Sequence, residues 1–260
     1  MAAILGVLEQ AGLRLDADGA IATVTLNRPE RRNAMSPSMW HGLAAIGDAL
    51  PASTRVVIVR GEGSSFSAGI DLRLFTPDGM PGEELASPAD PGFEAAVASY
   101  QAGYLWLRRP DIVSIAAVRG YAIGGGFQLA LACDLRVAAD DAVFCMKEPA
   151  LGLVPDLTGT KPLVDLVGLP RALEICLTAR NIPAAEAREL GLAQQVVPAD
   201  GLDAAVAELA AALCTPAADT ARATKELLLG APGRTLEEQA AAEIAVQARL
   251  QRSRGSSAPW

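Results

Sequence analysis

The stretch Gly120-Tyr121-Ala122-Ile123-Gly124-Gly125-Gly126-Phe127-Gln128 decides how this chain is read. Upstream, Ile112 to Val118 is an apolar, β-branched run that predicts a strand; downstream, a helix is expected from Gly125 or Gly126 to about Cys133. No G-x-G-x-x-G register fits the glycines and no Gly-Lys-Ser/Thr follows them, so dinucleotide and P-loop readings fail. What remains is a strand that passes through glycines straight into a helix N-terminus. Such a turn offers unpaired N–H groups and the positive end of the helix dipole, and can hold a carbonyl oxygen or an oxyanion. The same glycines would equally permit close strand–helix packing and nothing more.

Working outward, Ala20 to Leu26 alternates as a strand, and Asn27-Arg28-Pro29-Glu30-Arg31-Arg32-Asn33 turns the chain. Ser36 is placed to cap a helix that starts at Pro37 and runs to about Leu50. Val56-Val57-Ile58-Val59 is a continuous apolar run, the pattern of a strand buried on both faces. It leads to a second glycine turn, Ser67-Ala68-Gly69-Ile70-Asp71, able to aim another N–H at the same point, or simply to start a helix capped by Asp71.

From Phe75 to Pro91 the chain is rich in proline and glycine and has little periodicity, which predicts a long loop serving as a pocket wall. A helix is expected over about Phe93 to Arg108, and short strands at Leu135 to Ala138 and Ala142 to Met146. Beyond Gly159 the pattern is helical almost to the end, broken near Gly168-Leu169-Pro170, Ile182-Pro183, Gly191, Pro198 and Pro216. The expected fold class is therefore α/β, a strand–helix core followed by a helical region.

Composition narrows the chemistry. The chain has 260 residues, and 22 basic against 30 acidic residues give a net charge of −8, which argues against non-specific nucleic-acid or anionic-membrane binding. There is one histidine, His41, so any Ser-His-Asp or Cys-His catalysis would have to use it, as would an imidazole-rich zinc site. It lies at the start of a helix with no nucleophile motif around it, and no metal site is expected. Cys133, Cys145, Cys176 and Cys214 have no C-x-x-C pair and read as buried small hydrophobes of a reducing compartment. With no basic n-region at the N-terminus and no clean apolar span, the expected location is cytoplasmic.

Glu148 and Asp156 are two carboxylates in the apolar segment Lys147-Glu148-Pro149-Ala150-Leu151-Gly152-Leu153-Val154-Pro155-Asp156. Desolvation there would raise their pKa values toward those useful in proton transfer. Alternatively both are solvated loop acids, or Glu148 pairs with Lys147.

Taken together, Asn27-Arg28-Pro29-Glu30, Phe66-Ser67-Ala68-Gly69-Ile70-Asp71-Leu72, Gly124-Gly125-Gly126-Phe127-Gln128-Leu129-Ala130 and Cys133-Asp134-Leu135-Arg136 resemble the crotonase (enoyl-CoA hydratase/isomerase) superfamily in order and spacing. The similarity runs from about Ala20 to about Leu250. It implies a spiral of repeated ββα units over residues 1–195 and a helical trimerisation region over 196–260, assembled as a trimer or a dimer of trimers. It implies an acyl-CoA thioester as substrate, with no separate cofactor because coenzyme A is part of that substrate. The oxyanion hole would be the N–H groups of Ile70 and Gly125. Coenzyme A contacts would come from Arg31, Arg32, Ser67, Ala68, Arg73 and Lys225.

The acids sort the members of this family. Its hydratases carry one Glu three residues after the middle glycine and a second before a Leu-Gly pair. Here the second is Glu148, but the first position holds Gln128, which can orient water yet cannot accept its proton. Asp156 falls where the family's dienoyl-CoA isomerases carry an acid, although those carry Asp at position 128; the 3-enoyl-CoA isomerases need only the Glu148 position. The resemblance thus implies a double-bond shift with Glu148 as proton shuttle. Hydration with Glu148 plus Gln128, and an acyl-CoA-binding protein without turnover, are the alternatives. The C-terminal stretch Arg252-Ser253-Arg254-Gly255-Ser256-Ser257-Ala258-Pro259-Trp260 departs from the family's final segment.

Overall fold

Val56 to Val59 sits at the centre of the main sheet, bonded in parallel on both sides, which explains its unbroken apolar character. The computed structural model describes residues 2–76 and 78–254. In chain order the elements are α1 (Ala2–Gln10), β1 (Leu13–Asp18), β2 (Ile21–Leu26), α2 (Pro37–Ala49), β3 (Val56–Gly61), α3 (Phe93–Leu105), β4 (Val113–Val118), β5 (Tyr121–Ile123), α4 (Gly125–Ala132), β6 (Leu135–Ala139), β7 (Val143–Cys145), α5 (Thr160–Val167), α6 (Leu169–Thr178), β8 (Ile182–Pro183), α7 (Ala184–Glu189), β9 (Gln195–Val197), α8 (Leu202–Cys214), α9 (Ala218–Gly230) and α10 (Leu236–Arg254).

The large sheet has the order β1-β2-β3-β4-β6-β9, antiparallel only at the β1–β2 edge. A second sheet, β5-β7-β8, is extended by the isolated bridges Ser67–Ala122 and Met35–Ile70. Each turn of the chain therefore lays one strand in the large sheet and one short segment in the second ladder before entering a helix. This is the repeated ββα spiral that the motifs imply.

One face of the large sheet packs on Met39, Leu43, Tyr104, Phe127 and Leu131 from α2, α3 and α4. On the other, Val56, Ile115 and Val137 meet Leu202, Val206 and Ala210 of α8. Two features depart from the expected organisation. Strands β8 and β9 lie in the region read as helical, and β9 pairs with β6 across position 195. The boundary drawn there cuts through the sheet, and α8 belongs to the core.

Helix α4 is anchored at its far end by two cations. Fully buried Arg136 donates from Nη1 to Ala130 O (3.1 Å) and Cys133 O (2.7 Å), and Arg108 donates to Leu131 O (2.9 Å). Burial pulls Arg136 down to about 10, which leaves it charged at neutral pH.

Smaller expectations are also revised. Ser36 stands at the N-cap position of α2 but its hydroxyl makes no capping bond; it donates to Glu83 instead (2.8 Å). Cys133 and Cys145 are buried, whereas Cys176 and Cys214 are only half-buried. His41 lies 3.1 Å from Ser99 Oγ with its ring against Tyr100, an ordinary helix histidine. Residues 255–260 of the divergent C-terminal stretch lie outside the described residues.

Candidate active site

Two glycine turns meet. Gly69 has a φ of +84°, and a Cβ there would stand 2.6 Å from Ile123 O and 3.6 Å from Gly125 N. Only glycine tolerates both the backbone angle and the approach. Gly126 is under similar pressure, since a Cβ would meet that of Ser67 at 2.6 Å.

The direction of each amide follows from its neighbours. Met35 N–H donates to Gly69 O and Met35 O accepts from Asp71 N–H, so the Ile70 N–H between them faces away from Met35. Gly125 is the first residue of α4, where a helix cannot satisfy its own N–H. Ile70 and Gly125 both line a cavity of about 660 Å³. Behind them the Tyr104 hydroxyl, fully buried, reaches Gly125 O at 3.3 Å and Met35 Sδ at 3.4 Å.

Glu148 begins a short 3-10 turn beside this point. A Cβ placed on Gly124 would be 3.1 Å from its Oε1. Oε1 accepts from Gln128 Nε2 at 2.6 Å, while buried Oε2 has no hydrogen-bond partner among the described residues. Burial raises its pKa above the ordinary 4.5 despite the Gln128 bond. This is a carboxylate held by one hydrogen bond, with its other oxygen free among the described residues.

The oxygen of Gln128 is itself fully engaged. Its Oε1 accepts from Leu157 N–H (2.9 Å) and Gly159 N–H (3.1 Å). Thr158 between them holds a φ of +70°, a strained angle for a β-branched residue that the two bonds help maintain. Asp156 is at the exposed rim of the cavity, yet the adjacent walls desolvate its carboxyl and raise it above the ordinary 3.8. Among the described residues neither acid pairs with a cation; Lys147 also lines the cavity but makes no bond to Glu148 there.

The rest of the cavity is apolar. Trp40, Leu72, Phe75, Leu85, Phe93, Val97 and Tyr100 form its walls, so the 75–91 loop and α3 contribute as the sequence led us to expect.

The residues expected at a coenzyme divide. Ala68 lines the cavity and is tied to the first turn by its N–H to Arg32 O (2.8 Å). Arg31 and Arg32 are exposed, with the Arg32 guanidinium 5.7 Å from the Tyr121 ring centroid. Arg73 is half-buried and forks onto Asp71 through Nε (3.0 Å) and Nη2 (2.7 Å). Two residues are placed elsewhere. Ser67 is buried, its hydroxyl donating to Asn33 O (2.8 Å) and accepting from Gly69 N–H (3.1 Å), so it braces the turn. Lys225 is also buried and donates to Ile112 O (2.7 Å) and Asp134 Oδ2 (2.6 Å), fastening α9 to the body.

Sequence reasoning gave Arg28 and Tyr104 no role. Arg28 Nη2 donates to Asp71 Oδ2 at 3.1 Å and its Nη1 to Ala34 O at 2.6 Å, so the Asn27-Arg28-Pro29 motif secures the residue that follows Ile70. Nothing at either position signals Asp71, Met35 or Gly125, which are distant in the chain.

A family model described as enoyl-CoA hydratase/isomerase matches residues 16–257. A Thermobifida fusca YX protein crystallised with CoA is 57% identical, each chain covered to 95%, with a TM-score of 0.91. The complex with acetoacetyl-CoA from the same organism is 56% identical over 95% of this chain and 97% of that one, again with a TM-score of 0.91. A probable enoyl-CoA hydratase of Mycobacterium bovis is 33% identical over 82% of this chain and 79% of its own.

Proposed function

We propose, from the premise that the chain belongs to the enoyl-CoA hydratase/isomerase family, that this acyl-CoA-processing enzyme shifts a carbon–carbon double bond. Glu148 Oε2 removes an α-proton from a 3-enoyl thioester. The thioester oxygen becomes an enolate oxygen held by the N–H groups of Ile70 and Gly125. Electrons move so that the double bond forms between C2 and C3, and Glu148 returns the proton at C4. For a 3,5-dienoyl thioester the far proton comes from Asp156. Reactant and product are isomers, so no redox partner or cofactor is needed beyond the coenzyme A carried by the substrate.

The observation that supports this reading is the engagement of Gln128: both ends of its amide are bonded within the protein. One proton-carrying group therefore stands beside the convergence of amides, which suits return of a proton to the same molecule. Conversion of 3-hexenoyl-CoA, followed by the rising absorbance of the conjugated product, tests it. Absence of that rise, together with loss of absorbance from crotonyl-CoA, would favour the second reading, hydration, which the names of several relatives support.

We also propose that the chain works as a trimer or a dimer of trimers in the cytoplasm. Leu169, Leu173 and Leu177 are exposed at a spacing of four on α6, an apolar stripe suited to a second copy.

A further inference from the structure

Leu85, Ala86 and Pro88 close one side of the acyl cavity. The stretch 80–88 has no helix or paired strand beyond a Met80–Glu83 bridge, so its position depends on what its side chains grip. Glu83 supplies the grip. Its Oε1 accepts from Ser36 Oγ (2.8 Å) and from Ser38 Oγ, and its Oε2 accepts from Ser38 N–H (3.0 Å).

The receiving groups belong to the first turn of α2, a helix of 13 residues whose start is otherwise uncapped. Unpaired N–H groups and the positive dipole end favour a carboxylate there. No ion pair joins Glu83 to a cation among the described residues, so the contact is satisfied by hydroxyl and amide donors in fixed positions. That turn is packed into the core: Pro37, Met39 and Trp40 are buried, and Trp40 also lines the cavity. Glu83 thus ties the 85–88 segment to a helix that lines the same chamber. A weaker tie follows it, Ala86 N–H to the Tyr100 hydroxyl at 3.4 Å.

We infer that Glu83 is a specificity-determining positioning residue: by seating its carboxylate on the start of α2 it holds the 85–88 wall inward and favours short acyl groups over long ones. The inference rests on the reading of the cavity as the acyl site. Neighbouring Glu84 is exposed and carries no such contact, which makes it the natural control.

The experiment compares the wild-type chain with Glu83→Ala, Glu83→Gln and Glu84→Ala. Calorimetry with butanoyl-CoA and dodecanoyl-CoA, saturated thioesters that do not turn over, reads affinity directly. Hydrogen exchange over 80–88 reads the latch. Glu83→Ala should speed exchange in 80–88 about tenfold and weaken butanoyl-CoA about tenfold, with dodecanoyl-CoA changed less than about twofold, because a preformed wall no longer spares the short ligand its ordering cost. Glu83→Gln should shift the same ratio in the same direction, since an amide sets N–H against N–H or gives up one acceptor. Glu84→Ala should match wild type. Equal weakening of both thioesters, or unchanged exchange in 80–88, would overturn the inference about Glu83 while leaving the site standing. Failure of the wild-type chain to bind either thioester would overturn the reading of the cavity itself.

Discussion

Gln128 donates to Glu148 Oε1 across 2.6 Å, and its own oxygen is held by the N–H groups of Leu157 and Gly159. The amide therefore points one way only. It fixes the Glu148 carboxylate and braces the strained Thr158 turn, and its oxygen has no lone pair left over for a water.

Replacing this amide by an acid should change what the site can do. In Gln128→Glu the new carboxylate keeps the acceptor role toward Leu157 and Gly159 but faces Glu148 with like charge. The pair should then share a proton, its upper apparent pKa rising by about one unit or more. Hydration of crotonyl-CoA should rise relative to isomerisation of 3-hexenoyl-CoA, read as the ratio of the two initial rates.

Glu148→Gln removes the proposed base and keeps the shape. Turnover should fall about 10²- to 10⁴-fold while saturated acyl-CoA affinity stays within about threefold. Because burial raises the wild-type carboxyl above 4.5, the protonated, inactive form persists to higher pH. The acid limb of kcat/KM in the wild type should consequently lie above that value and disappear in the variant.

Gly69→Ala adds a methyl where 2.6 Å separates its position from Ile123 O. The turn must move, and the Ile70 N–H with it. We expect a loss of about 10²- to 10³-fold in kcat and about 1–3 kcal/mol of stability, from steady-state kinetics and urea melts.

Asp71 links the same turn to pH. Hydrogen bonds from Arg73, with a further one from Arg28, lower its carboxyl from 3.8 to about 2. In the unfolded chain the group takes up its proton near 3.8, so the folded state gains stability above that pH. The gain should be lost as pH falls from 3.8 toward 2. Asp71→Asn should flatten that part of the stability curve and cost about 1–3 kcal/mol at neutral pH.

The stripe on α6 makes assembly testable. Leu173→Glu with Leu177→Glu places two charges on residues that are 49% and 73% exposed in the single chain. Light scattering should show a monomer for the double variant and a larger species for the wild type.

How far the residues announced all this varies with the reach of each interaction. The two glycine turns were legible because positive φ and backbone contact leave a strong local mark on Gly69, Gly124 and Gly126. Glu148 was legible through the motif around it. Strand β9 was not: Gln195-Val196-Val197 is too short to show a period, and its pairing with β6 is a long-range event. Lys225 read as a ligand contact because its partner, Asp134, lies far away in the chain. Ser67 is a related case, since a small polar residue in a loop looks available until its hydroxyl is seen to donate to Asn33 O. The Glu83 contacts with Ser36 and Ser38 cross more than forty positions and leave no pattern at all.

Arg136 and Arg108, clasping the carbonyls at the end of α4 remote from Gly125, bear on the proposed reaction as well as on the fold. They blunt the negative pole of a short helix deep inside the protein, so the electric field along its axis is less cancelled where Gly125 begins. On the proposed mechanism, a charge growing on the thioester oxygen would thereby be steadied by guanidinium groups it never meets.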